Sequence, residues 1–78
     1  MTEEQINICK ALGSVNYLPA SFDKRIGKNL AAMAVSFPDK ELTAKQDEWM
    51  YRLLYKYRRQ IPITYDRYGM HQYCARLT

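Results

Sequence analysis

His71 and Cys74 form an H-x-x-C pair of soft donors, and Cys9 near the other end of the chain adds a second thiol. Structural zinc takes four such ligands, usually as two close pairs. No second pair exists, so no metal is expected. Cys–His nucleophilic catalysis needs a third group to orient the imidazole, and none is identifiable. There is no glycine-rich phosphate loop, no Ser-His-Asp set and no pair of carboxylates placed for acid–base work. Asp47 and Glu48 are adjacent and point in different directions on a helix. The residues therefore lead to an expectation of a non-enzymatic protein with no cofactor and no small-molecule substrate. Both cysteines read as reduced thiols, because no apolar run approaches a signal or membrane-spanning segment and nothing routes the chain to an oxidising compartment. A single Cys9–Cys74 disulfide remains open.

The other available chemistry is charge and stacking. With Met50 at 0° on a helical wheel, Lys45, Arg52, Lys56 and Arg59 fall between about 180° and 240°. They form one basic stripe, with Tyr55 at about 140° beside it and Tyr51 at about 100° towards the core edge. A row of cations on a rigid rod matches a phosphate backbone, and Tyr55 offers a surface on which a base could stack. The same pattern also describes a solvated face, with Glu48 and Arg52 as an i, i+4 ion pair and the tyrosines packed on neighbouring helices. Lys24, Arg25 and Lys28 form a second basic cluster near a helix start, where the helix dipole disfavours cations. Asp23 offsets part of that charge.

Charge is uneven along the chain. The net charge is +4, yet residues 1–49 carry six basic and seven acidic groups, while residues 50–78 carry six basic groups against Asp66 alone. Such asymmetry points to an acidic partner, whether nucleic acid, an acidic protein patch or an anionic membrane, or simply serves solubility. A membrane is not expected, because the basic helix must bury its apolar side in the domain and has none to spare.

Three helices position these residues. Thr2 and Gln5 have capping-box spacing, Ile8 and Leu12 stack behind them, and Gly13 marks the end. Residues 13–20 read as a connecting loop. A second helix starts near Ser21, with Phe22, Ile26, Leu30, Met33, Ala34 and Phe37 as its apolar stripe. Gly27 inside it suggests close helix contact, and Pro38 ends it. The third helix repeats the capping box at Thr43 and Gln46. Met50, Leu53, Leu54, Tyr57 and Ile61 share its inner face as far as Pro62. In residues 63–78, Thr64 could cap a short helix reaching about Arg76, or a turn at Asp66–Gly69 could precede one. No segment alternates cleanly, so the expected fold is an all-α single domain of three to four helices, with Leu30, Leu53, Leu54 and Ile61 buried and Trp49 partly so. With 78 residues, 47% hydrophobic and 26% charged, the chain suits one small folded domain with little material for a deep pocket.

Ser21-Phe-Asp-Lys-Arg through Leu30-Ala, then Leu42-Thr-Ala-Lys-Gln46, then Leu53-Leu-Tyr-Lys-Tyr-Arg-Arg-Gln-Ile61, resembles a short helical module of phage and prophage proteins. That module occurs beside helicase-like domains and in small stand-alone proteins. The resemblance covers about residues 21–62 and departs from the pattern at Ser21, where glycine is usual. It implies a role in phage DNA or RNA metabolism in the cytoplasm of a bacterial host. The partner it implies is nucleic acid, or a protein complex that processes nucleic acid. An inhibitor of a host or defence protein is the alternative.

Overall fold

The Thr2 hydroxyl accepts from the Gln5 N–H at 3.1 Å, and the Gln5 side chain accepts from the Thr2 N–H at 2.9 Å. This reciprocal cap starts α1, Glu3–Gly13, in the computed structural model of the chain. Ser21 caps α2, Phe22–Ser36, by accepting from the Lys24 N–H. Thr43 and Gln46 repeat the full capping box at the start of α3, Ala44–Lys56. A short α4, Pro62–Tyr68, follows. The structure describes residues 1–69, and among them there is no strand.

Gly13 ends α1 for a reason other than a left-handed cap. No glycine has positive φ, and the cap residue Ser14 is right-handed. A Cβ on Gly13 would instead meet the Ala31 Cβ at 2.7 Å, so the two helices cross where only glycine fits. Gly27 also allows close approach, but to the loop and not to a helix. Tyr17 fills the space that a Cβ at Gly27 would take, and its hydroxyl donates to the Leu12 carbonyl at 2.6 Å. The left-handed position among the described residues is Ala20, at φ 59°, where the loop turns into the Ser21 cap.

Ile8, Leu12, Leu30, Met50, Leu53 and Leu54 are fully buried and join Val15, Ala34, Tyr51 and Ile61 in one core. Each such large aliphatic side chain contributes about 1.5–3 kcal/mol on burial. The expected core positions Leu30, Leu53, Leu54 and Ile61 are all in it, and Trp49 is half-buried. Tyr51 is also buried, and its hydroxyl donates to Glu4 at 3.0 Å.

Three expectations need correction. Phe22 and Phe37, the ends of the α2 stripe, are 57% and 63% exposed. They stand at the first turn and at the C-cap, at the two ends of α2 and away from the centre where Leu30 and Ala34 are covered. Next, α3 stops at Lys56 and does not reach Ile61. Pro62 cannot donate to the Arg58 carbonyl, and its ring would clash with it. The released turn is held by Gln60, whose side chain accepts from the Asn16 N–H at 2.8 Å and donates to the Asn16 carbonyl at 3.2 Å. Finally, Pro62 begins α4 as its first residue, where a missing N–H costs nothing, and Thr64 caps no helix. The α4 helix ends at Gly69, and Asn7 anchors it through the Tyr68 hydroxyl at 2.9 Å. The stretch expected to continue towards Arg76 lies outside the described residues, as do His71 and Cys74.

Candidate functional site

The helical wheel placed four cations on one stripe, and the structure divides them. Lys45 is exposed on the first turn of α3 and has no ion-pair partner among the described residues. Arg52 lies two turns further along, with its guanidinium 4.9 Å from the centre of the Trp49 indole. Lys56 is committed elsewhere: its ammonium pairs with Asp23 at the start of α2. Arg59 is exposed but sits in the turn after α3, so the helical angle that aligned it with the others does not apply.

Asp23 takes a second hydrogen bond from the Tyr57 hydroxyl at 2.8 Å. Burial raises its pKa, but the hydrogen bonds from Lys56 and Tyr57 and the charges of Lys56 and Arg52 outweigh that, and the net effect is a lowered value. The hydrogen bond to Asp23 raises the pKa of Lys56 in turn. The Tyr57 hydroxyl is pushed up by burial and by its bond to Asp23.

Tyr55 is not an open platform. Arg58 lies over its ring at 4.3 Å, and Tyr65 of α4 meets it edge-on with ring centres 6.3 Å apart. The half-buried ring also packs against the core. The Tyr55 ring is therefore partly covered, by Arg58 three residues on along the chain and by Tyr65, which a wheel drawn on α3 alone could not show.

The aromatic group that does stand beside the basic residues is Trp49. Phe22 meets it edge-on at 5.2 Å between ring centres, so α2 and α3 present a Phe22–Trp49–Arg52 row. The signal was present in the sequence: on the same wheel Trp49 falls at about 260°, next to the stripe. Between the two helices runs a cleft of about 230 Å³, with Ile26 and Trp49 as apolar walls and Asn29 and Lys45 at its rim.

The second basic cluster is separate. Lys24, Arg25 and Lys28 surround a shallow hollow with Ala20 and Ser21, and share no lining residue with the cleft. Lys28 donates to the Gly13 carbonyl at 2.7 Å. That places a cation at the C-terminal end of α1, where the helix dipole favours it, and explains why it is tolerated near the start of α2.

Cys9 is a free thiol buried against Met50, with 3.6 Å between the sulfurs. Burial, and then the charge of Asp47, push its pKa up to about 12. Among the described residues no group of three or more His, Cys, Asp or Glu side chains could hold a metal ion, and no helix is long and apolar enough to cross a membrane. The fold and site thus define a small all-α protein with a basic, aromatic face. Compared with protein-family models, curated proteins and solved structures, the chain matches none.

Proposed function

We propose that this chain is a non-enzymatic accessory module that binds nucleic acid through the outward side of α3. In keeping with its resemblance to the phage helical module, it would serve phage nucleic-acid metabolism in the host cytoplasm. The observation that carries this reading is the arrangement of Lys45 and Arg52 one turn to either side of Trp49, with Arg52 over the indole. Cations beside a half-buried aromatic ring supply the two contacts that nucleic acid offers without sequence preference, phosphate and base face. Charge of one sign dominates the C-terminal part of the chain, which adds attraction at long range.

Trp49 is the only tryptophan, so its fluorescence reports directly on the proposed face. Titration at low salt with single- and double-stranded DNA and RNA should shift that signal. Two to three phosphate contacts should make log affinity fall against log salt with a slope of about −1.4 to −2.7. Absence of binding to all four at low salt rejects the reading. A protein partner is the second reading, favoured by Leu18 and Phe22, which are 76% and 57% exposed near the same helices. Exposed aromatic and Arg side chains are also what protein hot spots use. If Lys45→Glu with Arg52→Glu removes a captured protein while no oligonucleotide binds, the second reading replaces the first.

A further inference from the structure

We infer that the cleft between α2 and α3 receives a single unstacked nucleobase, which makes the ligand of this face single-stranded. The inference rests on the nucleic-acid reading above and adds the class of ligand. The cleft measures about 230 Å³. That is below the roughly 300–1,000 Å³ of sites that enclose drug-sized ligands, and it suits one planar ring better than a whole nucleotide or cofactor. Its apolar lining is Ile26, Leu30 and Trp49, aliphatic and aromatic surfaces of the kind against which the faces of a base pack.

The polar groups at the rim differ in availability. Thr43 and Gln46 are engaged in the capping box that starts α3. Asn29 is exposed and its amide has no partner among the described residues. An amide offers donors and an acceptor side by side, the complement of the hydrogen-bonding edge of a base. Lys45 lines the same cleft and Arg52 lies over the Trp49 ring, so the sugar-phosphate chain leaving the cleft meets a cation. A base in a duplex cannot enter, because its edge is paired and its faces are stacked. Duplex contact is then limited to phosphates.

The test measures fluorescence anisotropy of labelled single-stranded homopolymers and of a blunt duplex against the whole chain at one salt concentration. Single strands should bind at least about tenfold more tightly than the duplex. Trp49→Ala should lower single-strand affinity by about 5- to 150-fold. Trp49→Phe keeps a ring against Phe22 and should retain most of the affinity, and if Trp49→Ala does not fold the exposed Asn29 carries the test. Asn29→Ala, at an exposed position, should reorder the homopolymers and leave duplex binding unchanged. Equal binding of both forms, with Asn29→Ala silent while Lys45→Glu with Arg52→Glu removes binding, overturns the base site and leaves nucleic-acid binding standing. Loss of a protein partner in Asn29→Ala, with no oligonucleotide bound by the wild type, overturns both.

Discussion

Lys56, near the end of α3, reaches across the fold to Asp23 in the first turn of α2, and the same carboxylate accepts from Tyr57. This contact withdraws one cation from the basic stripe and ties the two helices that bound the cleft. It also sets an acidic group at the positive end of the α2 dipole, where it is favoured.

Asp23→Asn should return Lys56 to the stripe. If nucleic acid binds this face, the salt dependence should steepen by about 0.7 for each added phosphate contact on a single strand. Stability should fall by about 0–1 kcal/mol, since the Lys56 side chain is 60% exposed and such pairs are weak. An unchanged slope together with weaker binding would show that Lys56 acts only as a structural tie.

The same pair predicts a pH window. The lowered pKa of Asp23 means that its contribution is present above the unfolded value of about 3.9 and is lost as pH falls through the lower folded value. The raised pKa of Lys56 means that its contribution is present below the unfolded value of 10.5 and disappears as pH rises through the folded one. Urea unfolding of wild type and Asp23→Asn should therefore differ by a constant amount between about pH 5 and 9, and converge in acid and in strong base. A difference that grows in acid would contradict the pairing.

Gly13→Ala tests the helix crossing. Alanine is favoured over glycine within a helix by about 1 kcal/mol, so propensity alone predicts a gain. The Ala31 Cβ lies 2.7 Å from where the new methyl would go. Overpacking of this kind typically costs about 1–3 kcal/mol, so thermal unfolding should show a net loss. Ala31→Gly in the Gly13→Ala background should recover part of it.

Cys9 should resist alkylation in the native protein. Its thiol is buried and its pKa is pushed up to about 12, so almost no thiolate exists at pH 8. Peptide mapping after brief iodoacetamide treatment should find Cys9 unmodified in buffer and fully modified in denaturant. Native labelling at a rate like that of a free thiol would mean that the α1–α3 contact opens readily.

Helix starts were legible because they are local. Thr2 with Gln5, Ser21 with the Lys24 N–H, and Thr43 with Gln46 each close within three residues. Backbone N–H groups left free at a helix start donate to nearby side-chain oxygens whatever the rest of the fold does. The inner faces of α1 and α3 were legible for a related reason: a 3.6-residue period leaves one stripe to bury.

The condition of the surface side chains was decided elsewhere. Lys56 and Asp23 are 33 residues apart in sequence, and Gln60 and Asn16 are 44 apart. Tyr55 loses its open ring to Arg58 and to Tyr65 of a helix that no periodicity announced. Trp49 gains Phe22 from the helix before it. Short-range spacing shows which side of a helix a residue occupies, whereas a charge or a ring is occupied by whatever the packed neighbours bring within a few ångströms. Hydrophobic burial sets that packing without regard to sequence distance, so the starts of α1, α2 and α3 and the middle of their core faces could be read from the residues in order, whereas the end of α3, the α4 helix and the cleft beside Trp49 exist only in the packed fold.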